Sequence, residues 1–560
     1  MTSAGATPST PTGGSRLSLL LPHVWSFAAV IACLLFAVFI TWPQGAHMST
    51  HVASHGDAYF SMWRLEWIAH ALRIDPRTLF DGNIFYPTRN TLAYSDAMLL
   101  EGAIAAPLLW SGMSPFLTYN LLLIGSIAAS GVGMFVLVRH LTGSPVSALV
   151  AAAIFTMAPY RIEHFMHLEL QWTMWMPLTF WAIHRAIEAP SAWRGILAGL
   201  FLWLQIVSCV YYGVFLAVAT AALVALALAV EPRRTVRALP ILIAGGAVAA
   251  VLALPYLWPY VKAIRTLGGR DPVEVARYSA RASSYLASPL QNWAWGWTRE
   301  RWGDVELNLF PGLTACVLAG IGLTVRPRRS VAIYGVLAAL MIALSFGVNG
   351  TLYSWLATFV PGLNGLRAPA RFGILAVATL AVLAGFGMRA LEQQIGSRRR
   401  VAALLVVAGT LMAVDYANRE MQLMPQGDPA LTPLYRVVRS AAPGVVVELP
   451  LPLPSTLPGR EADYVFWSTS HWKPLVNGYS GYAPVEYVRT LERMSNFPDD
   501  RSIATLRGLD VRYVIVHRAY YDPADYTALM LRVATQPALH PYGRYRGPGG
   551  DGDLFVLEPQ

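Results

Sequence analysis

LTYNLLLIGSIAASGVGMFVLV, residues 117–138, holds no charged side chain and is followed at once by Arg139. At 1.5 Å per residue a helix of this length covers about 33 Å, enough to cross a hydrocarbon core of roughly 30 Å. Similar apolar runs lie near 24–43, 145–159, 171–188, 193–208, 211–230, 238–260, 309–325, 331–348, 370–391 and 400–417. Together they make eleven candidate spans, and the shorter run 97–112, which carries Glu101, is a twelfth candidate or a half-embedded helix. The composition agrees. Of 560 residues 55% are hydrophobic and only 13% charged, against about 25% charged in ordinary soluble domains. A cytosolic enzyme, a disordered chain and a disulfide-stapled secreted scaffold are excluded. The reading is an all-α polytopic membrane protein.

The net charge of +10 is no nucleic-acid signal, because the arginines cluster between apolar runs. If 97–112 stays on one side, Arg139, Arg185, Arg194, Arg233, Arg234, Arg237, Arg326, Arg328, Arg329, Arg389 and 398–400 share one face. By the positive-inside rule that face is cytoplasmic, and the N-terminus lies there too. If 97–112 crossed, every later loop would flip and the rule would fail. Residues 1–23 then read as a disordered cytoplasmic tail, and 24–417 as the transmembrane domain. Outer loops are expected at 44–116 and 261–308. From 418 to 560 the composition changes: VVVEL (445–449), VRYVIV (511–516) and LFVL (554–557) are strand-like, and 484–507 looks helical. This is expected to be an extracytoplasmic α/β domain. Cys33, Cys209 and Cys316 all sit in apolar runs, with no zinc-type spacing.

Candidate chemistry sits on the outer loops. The first holds His47, His51, His55, Asp57, Glu66, His70, Asp75, Asp81 and Asp96. Asp57 stands out because it follows Gly56 soon after the first span, where a loop can fold it back to the membrane surface, and because 58–72 reads as a helix beginning after it. It reads either as a base or as a residue at a helix N-terminus. Arg161, Glu163, His164, His167 and Glu169 lie between two spans. An Arg there suits a phosphate, and His with a carboxylate suits a metal or a proton relay; an interfacial turn with snorkelling side chains is the rival reading. Arg367 and Arg371 flank Pro369 at a helix start, a good anion site or a plain headgroup contact. Trp293, Trp295, Trp297 and Trp302 precede Asp304 and Glu306, as a sugar platform or an interfacial belt.

The ordered set GDAYFSMWRLEWIAHAL (56–72), IFYP (84–87), LAYSDAMLLEGAIAAPL (92–108), YNLLL (119–123), APYRIEHFMHLELQW (158–172), ELNLFPGL (306–313) and GLRAPARF (365–372) resembles the bacterial type-C (GT-C) integral-membrane glycosyltransferases. The resemblance implies an inverting sugar transfer on the extracytoplasmic face of the bacterial inner membrane. The donor would be a polyprenyl-phosphate sugar and the acceptor a hydroxyl on a glycan, lipid or protein. It implies a catalytic acid at Asp57 and a second polar site near Arg161 to Glu169; the expected substrate contacts are Arg161, Glu163, His164, His167, Glu306, Arg367 and Arg371, with an arginine meeting the departing phosphate. Many relatives carry an Asp where this chain has Glu163 to Glu169, so the second acid stays open, and a divalent metal is possible. The alternatives are a transporter or flippase of lipid-linked substrates, and a non-catalytic scaffold. Transport is disfavoured because the span interiors are nearly free of charge.

Overall fold

The computed structural model describes residues 15–268, 270–325, 329–360, 362–425 and 427–559. Residues 1–14 of the expected tail, with Arg326 and Arg328, lie outside the described residues, whereas 15–23 belong to the first helix, Ser15–Ile40. Each of the other apolar runs is also centred on a helix, from Leu99–Trp110 to Arg398–Tyr416. Five described helices are long and apolar enough to cross a membrane: Pro115–Thr142, Pro145–Glu163, Val210–Val230, Pro232–Arg265 and Pro369–Ile395. Five shorter apolar helices accompany them. The chain is a multi-pass membrane protein.

Helix contacts rely on small residues that let backbones meet. A Cβ on Gly199 would lie 2.0 Å from the Gly245 carbonyl oxygen, and one on Gly387 2.0 Å from that of Leu318. Leu99–Trp110 is about 18 Å long at 1.5 Å per residue, too short to cross. It packs on Gly56–Ile74, with Trp110 Nε1 donating to the Ala69 carbonyl (3.0 Å).

The stretch Pro145–Glu163 breaks into the helix Pro145–Met157 and a short turn, Pro159–Glu163, and Trp175–Glu188 starts only after an irregular stretch. Irregular backbone at membrane depth survives only where protein satisfies its polar groups. Gln171 Nε2 donates to the carbonyls of Arg161 (3.1 Å) and His164 (2.8 Å), and Gln205 Nε2 to that of Trp172 (2.9 Å).

The loops that hold the candidate residues meet at the end of the bundle that carries the C-terminal domain. That domain has four strands: β3 (Val445–Leu449), β4 (Val511–His517), β5 (Leu539–Gly547) and β6 (Gly550–Leu557), in the order β3-β4-β6-β5. β3 and β4 are parallel, and the other pairs antiparallel. The expected helix at 484–507 is two, Val485–Met494 and Asp500–Gly508, with Pro498 between them. A two-stranded antiparallel sheet ties the loop after the first helix, β1 (His51–Ala53), to the chain just past the last bundle helix, β2 (Leu423–Pro425).

Asp415, near the end of the last bundle helix, receives the backbone N–H groups of Leu313 (3.2 Å) and Thr314 (2.8 Å) and the Trp295 indole (2.6 Å). It thereby satisfies the start of Leu313–Thr324. Of the loop tryptophans, Trp295 is thus held inward, while Trp293 and Trp297 are 68% and 58% exposed. Replacing Asp415 by Ala strands those three donors; at about 1 kcal/mol or more for such a cap, the detergent-solubilised variant should melt measurably lower, and Asp415→Asn should retain part of the loss. An unchanged melting temperature in Asp415→Ala would refute the capping role.

Candidate functional site

Two polar clusters lie side by side under the C-terminal domain. The first centres on Asp57, in the first turn of Gly56–Ile74, with His55 as N-cap. Asp57 Oδ2 lies 3.2 Å from His167 Nε2 and 3.1 Å from His55 Nδ1, and Oδ1 accepts from the Tyr479 hydroxyl at 2.9 Å. Gly56 permits this: a Cβ there would sit 3.0 Å from Ala462 Cβ and 3.5 Å from the Tyr479 hydroxyl.

The second cluster centres on Glu306, buried and bound bidentately by Arg371, Nε to Oε2 and Nη2 to Oε1, both at 2.8 Å. Arg367 Nη2 lies 3.8 Å from Glu306 Oε1, and its Nη1 3.5 Å from Glu274 Oε1. Glu163 Oε1 accepts from the Glu306 backbone N–H at 2.9 Å. The Arg371 guanidinium stands over the Tyr211 ring (5.1 Å) and that of Arg367 over Tyr278 (5.2 Å).

His164 bridges the clusters. Its ring centroid is 5.8 Å from that of His167, and it feels the charges of Glu306 and Arg371. Burial pushes its imidazole down to about 3, so it is neutral, and neither ring nitrogen has a hydrogen-bond partner.

Burial alone would raise the Asp57 carboxyl, but the charges and hydrogen bonds of His167 and His55 outweigh it and hold Asp57 well below the carboxylate range. Burial likewise opposes a charged His167, yet Asp57 raises it above its usual 6.5. Asp57 is thus ionised, and its charge favours the protonated form of His167. A raised histidine contributes stability that is full below about 6.5 and is lost as pH rises through its folded value. The wild-type melting temperature, less that of His167→Gln, should therefore be constant in mild acid and shrink on the alkaline side. A difference that does not change with pH there would show that the ion pair is absent. Glu306 is also held far below the carboxylate range, burial being outweighed by Arg371.

Of the sequence candidates, Asp57 joins His167, and Glu306 joins Glu163, Arg367 and Arg371, with His164 between. Arg161 is set apart. The Pro159–Glu163 helix is a single short turn, and the buried Arg161 points back into the bundle. Its donors reach the Phe155 carbonyl (2.8 Å), Thr173 Oγ1 (2.9 Å) and Gln171. A guanidinium so engaged seals irregular backbone and presents no face to a phosphate. Arg367, with 26% of its side chain exposed against 5% for Arg371 and with longer ion pairs, is the guanidinium open to an anion. Of the other loop acids, Asp75 accepts from the Arg77 backbone N–H, Asp81 from that of Asn90 and Asp96 from that of Val210.

Sequence reasoning missed Tyr479, Arg270 and Glu274. Tyr479 is 422 residues from Asp57, so no local pattern links them. Among the described residues no group of three or more His, Cys, Asp or Glu side chains is arranged to hold a metal ion. The donors at Asp57 face one another, and both oxygens of Glu306 are taken by Arg371.

No protein-family model matches the chain, and no curated protein matches it in sequence. Solved structures do. A mutant of the arabinofuranosyltransferase AftD from Mycobacteria aligns with a TM-score of 0.59 at 14% identity, over 96% of this chain and 41% of that one. The apo oligosaccharyltransferase of Archaeoglobus fulgidus aligns over 96% of this chain and 75% of that one, at 15% identity and a TM-score of 0.47. The chain thus spans less than half the length of AftD. Its helical bundle and small C-terminal sheet have the fold of the GT-C type.

Proposed function

We propose that the protein is a glycosyltransferase that moves a sugar from a polyprenyl-phosphate donor to an acceptor hydroxyl, with inversion. It works on the extracytoplasmic face of a bacterial inner membrane, with the N-terminus in the cytoplasm. The observation that carries this reading is the adjacency of an ionised Asp57 to the Arg367, Arg371 and Glu306 cluster at one end of a membrane bundle. The arginine-rich loops at the opposite end support the orientation.

In the transfer, the acceptor oxygen attacks the anomeric carbon while the bond from that carbon to the phosphate oxygen breaks. The electron pair leaves with the polyprenyl phosphate, and Arg367 is placed to meet that charge. The acceptor proton passes to Asp57. A carboxylate with so low a pKa is a poor base for a resting alcohol. It takes the proton late, as bond formation acidifies the hydroxyl, and before that it aims the oxygen. The glycosyl phosphate carries its own leaving group, so no step is routed through a metal.

The test supplies membranes containing the protein with radiolabelled polyprenyl-phosphate sugars, one at a time, and follows label into acceptor. Transfer by wild type that disappears in Asp57→Asn is expected. A wild type that binds a donor but transfers none of its sugar to the endogenous acceptors of those membranes would reject the reading.

A further inference from the structure

The C-terminal domain reaches Asp57 through the segment 477–482 (NGYSGY). A base acting on an acceptor needs that hydroxyl within hydrogen-bond distance. Among the described residues, the hydroxyl that occupies this place on Asp57 is the phenol of Tyr479, 2.9 Å from Oδ1; Oδ2 is already flanked by His167 and His55.

The segment is fixed at its ends. Asn477 Nδ2 donates to the Glu448 carbonyl (2.9 Å), and the Gly478 N–H to Glu461 Oε2 (2.8 Å). At the far end Arg270 Nη1 donates to the Gly481 carbonyl (3.0 Å), and its guanidinium lies over the Tyr482 ring (3.5 Å). Between these anchors Tyr479 and Ser480 are half-buried, and the Ser480 hydroxyl is enclosed without a partner. The far anchor is electrically joined to the second cluster, because Glu274 stands 3.5 Å from both Arg270 and Arg367. An anion arriving at Arg367 competes with Glu274 for it and alters the charge balance at Arg270. Beneath Tyr479 lies Phe60, ring centroids 5.3 Å apart and edge-on.

We propose that Tyr479 is a gating residue that holds the acceptor position on Asp57 in the resting protein, and that segment 477–482 moves aside to admit a saccharide hydroxyl in its place. The phenol is a six-membered ring bearing a hydroxyl, and the space it leaves keeps Phe60 as an aromatic wall, which suits a sugar ring better than an extended peptide or an alkyl alcohol. The proposal rests on the glycosyltransferase reading and adds to it the class of acceptor and the part played by the C-terminal domain.

The test uses the full chain in membranes with Gly481→Cys and Ser95→Cys, since a Cβ on Gly481 would lie 3.9 Å from Ser95 Oγ. Oxidation should link the two cysteines in the absence of substrate. Transfer to a saccharide acceptor should fall by about tenfold or more in the linked protein and return on reduction. Separately, Tyr479→Phe removes the competing hydroxyl but keeps the ring. It should lower KM for the saccharide acceptor about threefold or more with kcat within about twofold; a residue that merely positioned Asp57 would lower kcat instead.

Full transfer by the linked protein, or a Tyr479→Phe acceptor KM equal to wild type, would overturn the gate. Failure to link although both cysteines react with a maleimide would also overturn it, and needs no turnover. That outcome leaves the transferase reading standing, whereas a protein that links but, even once reduced, transfers from no donor overturns both.

Discussion

Asp57→Asn should abolish measurable transfer while leaving the protein folded. Asparagine has the same shape and can still accept from the Tyr479 hydroxyl, which is 2.9 Å from Oδ1 in the wild type. It cannot carry the negative charge that favours protonation of His167 at 3.2 Å, nor take a proton from an acceptor. Loss of a positioned proton acceptor costs about 10²- to 10⁴-fold in rate. Donor binding should persist, because the arginines face Glu306 and Glu274 rather than Asp57. The loss should therefore fall on kcat with KM for the donor little changed. Measuring single-turnover transfer and donor affinity on the same preparation separates these terms. A variant that keeps more than about a tenth of wild-type kcat would remove Asp57 from the proton-transfer step.

The bundle was legible because charge-free runs near 20 residues have few other uses. The candidate residues around Asp57, Glu306 and Arg371 were found through short motifs at helix starts, where chain direction and membrane surface limit where a side chain can go. Arg161 shows the limit of that reasoning. Its place between two spans suited a phosphate, but the helix stops at Glu163, and the freed carbonyls took the guanidinium inward. Nothing in the local pattern reports such an early stop. In the C-terminal domain, β3, β4 and the LFVL half of β6 announced themselves as β-branched or apolar runs. β5, LHPYGRYRG, did not: it is an edge strand, mostly exposed between its ends, and tolerates Pro and Gly that a central strand would not. Tyr479 was invisible for another reason. Its role depends on where the C-terminal domain docks, through Asn83 to Ser468 and the Lys473 carbonyl and through the backbones of Phe85 and Asn477. A single sequence carries no trace of such long-range contacts.

Arg371→Gln should have the largest effect on stability. Arg371 and Glu306 are both buried, and two 2.8 Å hydrogen bonds join them. Assembling such a pair gains little over a well-packed apolar pair, because desolvation offsets the attraction; removing one partner leaves a buried charge uncompensated, at about 3–5 kcal/mol. Arg367 is too distant to take over fully, at 3.8 Å and with Glu274 as its other partner. Glu306 would then have to take up a proton to remain buried. The variant should lose its folded fraction in detergent at a markedly lower temperature than wild type, and the deficit should widen with rising pH, as that proton becomes harder to hold. Arg371→Met combined with Glu306→Met should recover most of the stability, because it removes both charges at once. Recovery of stability without recovery of transfer would assign the pair a role in holding Arg367 and the donor phosphate. A single Arg371→Gln variant as stable as wild type would mean that water reaches Glu306, and that the two clusters are not the closed, low-dielectric arrangement on which the proposed chemistry depends.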